Sequence, residues 1–552
     1  MQAERSRFGR HLAIVLLALI IVVAIATMYS RTGQQSELSP LSGQLFGITP
    51  LAIALFSIFG VALVVGLASL QRDEAYKLSL SSLAVGGAIF QLLPTLKGYF
   101  FYGSGDPSNY VGTMLTVQRT GALTAIDPYP ALHIIGAVIG EATSLPLFTV
   151  TTLLQEIFYI VFLVGGCVLV RSIFAGQIER RVAFLMLPAM PLGYLLFPQY
   201  YGLALIPLLV FLSRSNTRSA LASYVILLLG LSIIHPLVTL LFVAATWLWT
   251  AVHKRKIIDQ RVILGLGVVV FLFGYNGLLT FSIASIISHL ALGVPVPGVS
   301  EAVSKLGLLS SAKVLLQQAG LAPLLAVIEM ALWLRMRKLY HGTILIYFVA
   351  FSFVLIVPAL LISSFDLGYQ RLVWYIEFGA LLMSGIVATQ MKVRWKRILL
   401  GTFLILVFMS AVVTTFPSSY NLYGNDQLTY SNYASYGWLF LNAPVGAAIG
   451  GPLFAPTNAW NLVLGTPTQA VGSAYFVYPF STLQVNYHFY NMTAGPNGTI
   501  LVITTLAIGT YLNYYKGTNT FTASDFHTLT NSSRYNIVFS GSDEQFFSLN
   551  NR

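Results

Sequence analysis

Long apolar runs recur along this chain, each followed by a short polar or basic stretch, and the pattern stops near Phe416. A membrane-spanning helix needs roughly 20 apolar residues, fewer where helices are buried among others. On that rule spans are expected near 11–29, 49–70, 79–96, 148–170, 182–197, 200–213, 219–233, 236–252, 262–283, 320–334, 343–363, 373–391 and 398–415, thirteen in all. Lys and Arg in short loops mark the cytoplasmic side. With the N-terminus inside, the inner loops collect Arg5, Arg7 and Arg10; Arg72 and Lys77; Arg171, Arg180 and Arg181; Arg214 and Arg218; Lys254, Arg255, Lys256 and Arg261; Arg335, Arg337 and Lys338; and Lys392, Arg394, Lys396 and Arg397. That is 21 of the 30 basic residues, and one missed or invented span would scramble the alternation.

The same parity makes residues 97–147 an external loop. Its apolar segment ALHIIGAVIGEATSLP (131–146) cannot also cross, so it is expected as a re-entrant or interfacial helix, preceded by a shorter amphipathic helix over Asn109–Arg119 that Gly121 ends. The expected division is a transmembrane part, 1–415, and an extracytoplasmic part, 416–552. The latter holds thirteen tyrosines and short β-rich runs such as RYNIVFS, which predict a small α/β or mostly β domain. N-x-S/T sequons at Asn491, Asn497 and Asn531 all fall there, as an external surface would allow.

Composition agrees with the pattern. Of 552 residues 56% are hydrophobic and only 9% charged, with a mean hydropathy of +0.77, which excludes an ordinary soluble domain. The net charge of +12 sits in loops between apolar runs, so it predicts cytoplasmic loops and no nucleic-acid partner. A lone Cys167 rules out a disulfide framework and a Cys-based metal site. The chain has no Walker A loop, HExxH, dinucleotide-binding glycine motif, CxxC or tandem repeat.

Few ionisable residues remain for chemistry on the outer side. In GSGDPSNY, Asp106 lies between Gly105 and Pro107 where a helix begins, so it is either a helix cap, an active-site acid, or both. AIDPYPALH brings Asp127, Tyr129 and His133 together at the start of the second external helix, with Asp–Pro as a turn initiator on the plainer reading. Glu141, eight residues past His133, is two turns along and is expected on the same side. His235 in SIIHPLV sits at an outer turn, either ending a helix or donating to a phosphate or sugar hydroxyl. The outer turn FPQYYG offers Gln199, Tyr200 and Tyr201 for sugar contacts or for an aromatic belt. Arg371 stands at the outer mouth of a span, where its planar fork suits a phosphate, or else an ion pair with Asp366 or Glu377. Glu156 and Glu329 lie within spans, as proton-relay groups or in pairs inside the bundle.

These parts together resemble the GT-C superfamily of membrane glycosyltransferases. GDPSNYVGTMLTVQRTG followed by DPYPALHIIGA looks like the first external loop of archaeal members, and ASYGWLFLNAPVGAAIGG and YNIVFSGSDEQFFSL look like the beginning and end of their external domains. The resemblance implies an α-helical polytopic membrane protein of the cell membrane, with an extracytoplasmic C-terminal domain. It implies an inverting transfer of sugar from a polyprenyl-phosphate donor to a glycan, lipid or protein acceptor. Carried onto this chain, Asp106 matches the loop acid that acts as general base or metal ligand, with a divalent cation such as Mg or Mn as the compatible cofactor. Pro107 and Ser108 stand where many relatives have a second acid, so Asp127 or Glu141 would supply it. Arg371, with His235 and Lys97, would hold the donor phosphate, and Tyr129, His133, Gln199 and Tyr200 would contact sugar or acceptor. SNYASYGW stands in place of the WWD-type motif of oligosaccharyltransferases and argues against that activity. A secondary transporter and a non-catalytic GT-C-like protein that binds lipid-linked sugar are the alternatives.

Overall fold

A computed structural model of the chain describes residues 50–92, 100–103, 106–123, 127, 129–190, 198–215, 217–252, 260–275, 320–335, 344–361, 369–415, 427–444, 447–451, 454, 456–465, 499–513, 521–531, 533 and 535–549. The expected first span, Lys97, Asp366, Asn491, Asn497 and the side chain of Arg371 lie outside the described residues.

The apolar runs fold as helices. In chain order these are α1 (Pro50–Ala68) and α2 (Asp73–Gln91), then strand β1 (Phe101–Tyr102) and the loop helices α3 (Asp106–Thr120) and α4 (Pro130–Thr143). The bundle continues with α5 (Leu147–Ile173), α6 (Gln177–Met186), α7 (Pro198–Leu212), α8 (Arg218–Ile234), α9 (Pro236–Val252), α10 (Gln260–Tyr275), α11 (Ala322–Arg335), α12 (Ile344–Leu361), α13 (Tyr369–Met383), the short α14 (Gly385–Ala388) and α15 (Arg394–Thr415). Among the described residues, Leu147–Ile173 and Arg394–Val412 are by length and composition long and apolar enough to cross a membrane. Seven shorter apolar helices accompany them. The segment expected as a span over 182–197 is different. Its helix α6 has 10 residues and passes into a 3-10 turn at Leu187–Ala189, so at 1.5 Å per residue it reaches roughly 15 Å, too short to cross unaided.

Close helix contacts use small residues. Gly87 of α2 lies directly against the Tyr159 hydroxyl of α5, and a Cβ at Gly165 would stand 2.9 Å from Leu208 on α7. Small residues let backbones approach where apolar lipid supplies no driving force for association. On the basic side, Arg181 of α6 donates to Leu70 O at 2.6 Å, bonds Asp73 and lies over the Tyr76 ring, tying α6 to the α1–α2 corner.

Beyond α15 the chain forms β2 (Gln427–Leu428), α16 (Tyr430–Asn442), β3 (Ala448–Gly450), α17 (Pro456–Leu464), β4 (Thr499–Thr504), α18 (Thr505–Asn513), α19 (Ala523–Asn531), β5 (Tyr535–Ser540) and β6 (Glu544–Leu549). The sheet order is β3-β4-β6-β5, with β3 parallel to β4 and the rest antiparallel. All six residues of β4 are buried, because alternate side chains enter different cores. Ile500 and Val502 join the cluster that holds Met114, Leu132, Leu154 and Tyr201, whereas Leu501 and Ile503 pack with Tyr511, Phe521 and Phe547 on the far side. The loop helices α3 and α4 therefore share one core with the sheet. A two-residue ladder adds to this, pairing Phe101 with Leu428 and Tyr102 with Gln427.

Candidate functional site

The loop turns sharply into α3. Gly103 has φ +135°, a conformation suited to glycine, and any Cβ there would strike Pro107. Ser108 closes the turn by donating to Gly103 O at 2.6 Å. Asp106 is thus left in the first helical turn, exposed, and its carboxylate makes no hydrogen bond among the described residues. Among the described residues no helix N–H is bonded by Asp106, which stands as the first residue of α3. Tyr110, one turn further on, shares Asp106's side of the helix.

Tyr110 leads to the second element. Its ring meets that of Tyr129 edge-on, centroids 5.8 Å apart, and lies 5.7 Å from the imidazole of His133. Pro130 sits in the first turn of α4, its fixed φ suiting that position, and places His133 one turn in. Asp127, upstream, accepts from Tyr129 N at 2.9 Å through Oδ1, and its Oδ2 is 2.6 Å from His133 Nδ1. Both side chains are nearly enclosed, at 4% exposed for His133 and 3% for Asp127. With Asp127 accepting, the imidazole carries its proton on Nδ1, and Nε2 is a buried acceptor with no hydrogen-bond partner among the described residues.

The third element is the α8–α9 corner. His235 ends α8 in an extended conformation, and its Nδ1 accepts from Val238 N at 3.2 Å, so this imidazole carries its proton on Nε2. Its ring stacks on Tyr129 at 5.4 Å with 15° between the planes. Two histidines of opposite tautomer are thus linked through the Tyr110–Tyr129 ring pair, His133 an acceptor and His235 a donor at Nε2. Gly202 of α7 packs against His235, a Cβ there falling 3.2 Å from the histidine's own. Tyr200 of the same helix lies 5.1 Å from Trp374, one turn beyond Arg371 on α13.

The structure therefore brings together the helix of Asp106 with Asp127, Tyr129, His133 and His235. It does not do so for Glu141. Eight residues of helix turn the side chain about 80° away from His133, and Glu141 is exposed on the side of α4 that bears Ile134 and Val138. Gln199 and Tyr200 also sit differently from expectation: Pro198 opens α7, and both side chains are buried in its first turn rather than displayed on a loop. Asn531, the sequon inside the described residues, is exposed at the end of α19. Tyr110 was missed in the sequence, although its spacing of four from Asp106 was visible. Among the described residues no three His, Cys, Asp or Glu side chains converge as a metal site needs, so the Mg or Mn expectation finds no donor set there.

No protein-family model matches the chain, and no curated protein does. Solved structures do. One is the Archaeoglobus fulgidus oligosaccharyltransferase, crystallised with Zn and sulfate, at 12% identity and a TM-score of 0.42 over 72% of this chain. This chain spans 59% of that protein's length. Two more are ArnT from Cupriavidus metallidurans in the apo state, at 9% identity and a TM-score of 0.48, and bound to undecaprenyl phosphate, at 10% and 0.49. Both cover 86% of this chain, and 97% and 98% of ArnT respectively. At such identities no residue role passes from a GT-C enzyme to this chain, and its chemistry rests on its own side chains.

Proposed function

We propose that this protein transfers a sugar from a polyprenyl-phosphate donor to a hydroxyl-bearing acceptor on the outer face of the cell membrane. The observation that carries this reading is the convergence of the exposed Asp106 helix, the Asp127–His133 pair and His235 around Tyr110 and Tyr129. Aromatic faces beside an acid, an imidazole acceptor and an imidazole donor suit a sugar, whose ring stacks while its hydroxyls are held at the edge. The loop motif GDPSNYVGTMLTVQRTG, similar to GT-C first loops, supports the donor class. Asp106 offers its carboxylate to the acceptor hydroxyl, either removing the proton or orienting it for a neighbouring base. His235 donates to the departing phosphate, with Arg371 and Lys97 as its cationic partners, stabilising charge as it builds.

Asp106→Asn, purified in lipid and supplied with a labelled lipid-linked sugar, is expected to lose about 10²–10⁴-fold in turnover with an unchanged melting temperature. Full activity in that variant refutes the site.

A second reading, gradient-driven transport, draws on Glu156, Glu329 and Glu377, each with a buried carboxyl oxygen that lacks a partner. It predicts solute uptake by proteoliposomes that collapses with the proton gradient. Sugar turnover without any gradient refutes it.

A further inference from the structure

Within the proposed transfer reaction, on which this inference rests, the geometry points to His133 rather than Asp106 as the base that deprotonates the acceptor hydroxyl, with Asp127 as its positioning residue. Three observations carry it. Asp127 Oδ1 is pinned by Tyr129 N–H at 2.9 Å, leaving Oδ2 aimed at His133 Nδ1 at 2.6 Å. That fixes both the ring plane and the tautomer, as in any carboxylate–imidazole dyad. His133 Nε2 is buried and unpartnered, an omission that costs free energy unless a ligand completes it. In this tautomer Nε2 is an acceptor, so the missing partner is a donor, which a hydroxyl is and an ionised phosphate is not. The half-buried ring of Tyr110 borders the imidazole and meets the ring of Tyr129 edge-on, so the acceptor hydroxyl would lie beside aromatic faces on which a sugar stacks.

The step balances. His133 Nε2 takes the acceptor's O–H proton, the acceptor oxygen bonds the anomeric carbon from the side opposite the phosphate, and the carbon–oxygen bond to phosphate breaks. The polyprenyl phosphate leaves with the electron pair, and His133 later returns its proton to water. Asp106 then orients the hydroxyl, and Asp127 balances the imidazolium while it lasts.

Among the described residues the ionisable groups around His133 are few. They are Asp127, Tyr110 and Tyr129, then Asp106 one turn before Tyr110 and His235 beyond Tyr129. The adjoining turns of α5 (147–154) and α8 (228–234), also packed against α4, carry no ionisable side chain.

The test uses the full chain in lipid nanodiscs with a lipid-linked sugar donor and its acceptor. His133→Asn keeps a donor toward Asp127 and deletes Nε2. It is expected to lower kcat about 10²–10⁴-fold and to abolish the acid limb of the kcat/KM profile. Asp127→Asn keeps the turn at Tyr129, but its amide donates to Nδ1 and forces the proton onto Nε2. It should lower kcat comparably, with KM and melting temperature little changed. Nitrogen-15 NMR of histidine-labelled protein, with His133→Asn for assignment, should show the wild-type proton on Nδ1 and move it to Nε2 in Asp127→Asn. An acid limb that survives His133→Asn overturns the proposal, and so does a wild-type proton on Nε2. If wild-type protein transfers no sugar at all, the transfer reading fails, and the tautomer measurement still decides the dyad.

Discussion

Tyr110 connects the residues that the sequence offered separately. Its ring contacts with Tyr129 and His133 are each worth ~0.5–1.5 kcal/mol beyond area burial, so Tyr110→Ala should destabilise the loop by about 1–3 kcal/mol. Thermal melts of the variant against wild type would show the loss. Asp106, Asp127 and His235 stand out in the sequence because each directly precedes a proline at a helix boundary, and His133 follows Pro130 by three residues. Glu141 was misjudged because a spacing of eight fixes height along a helix but overshoots its face by 80°. Gln199 and Tyr200 read as part of a turn because a proline that opens a buried helix looks, in sequence, like one that marks a turn.

At the scale of elements, the site depends on how α3 is held. Gly112 lies directly against the backbone of Asn461 on α17, Asn461 Nδ2 donates to Asn109 Oδ1 at 2.9 Å, and Arg119 Nη1 donates to Leu464 O at 2.9 Å. Leu464 is the last residue of α17, and Gly465 follows at φ +90°, so the guanidinium satisfies one of the orphan carbonyls of that helix end. Gly112→Ala puts a methyl group into backbone that cannot move aside as a side chain would. It should cost about 1–3 kcal/mol and reduce turnover by displacing Asp106. Scanning calorimetry and the transfer assay would check the two effects. Most helices of the bundle were legible from hydropathy alone. The break at Leu187–Pro188 was not, since an apolar run reads the same whether its backbone stays helical or tightens into a 3-10 turn.

For the molecule as a whole, composition marks a change near Phe416, yet one core draws on both sides of it. The acids of GSDEQFF anchor this join. Thr429, the N-cap of α16, donates to Asp543 Oδ2 at 2.8 Å, and Asn432 and Ser431 bond Glu544. Burial is the largest influence on both carboxyls and raises them above their ordinary range, against the hydroxyl and amide donors that pull them down. For a carboxyl raised in the folded state, the native form binds more protons than the unfolded one. Its contribution is therefore full below the unfolded value of ~4 and is lost as pH rises through the raised folded value. Hydrogen exchange at the β5–β6 hairpin should accordingly slow, relative to the intrinsic rate, as pH is lowered toward 5. Asp543→Asn should flatten that dependence.

The bonds that clamp α3 also set a schedule. Asn461 and Leu464 are made 352 and 345 residues after Asn109 and Arg119, which at ribosomal speeds is a wait of roughly 20 to 70 s. Throughout that interval α3 is held only by its packing against α4 and α5. A chain that stops short of Asn461 lacks both bonds, so the loop helix takes its final hold only after α17 has been made.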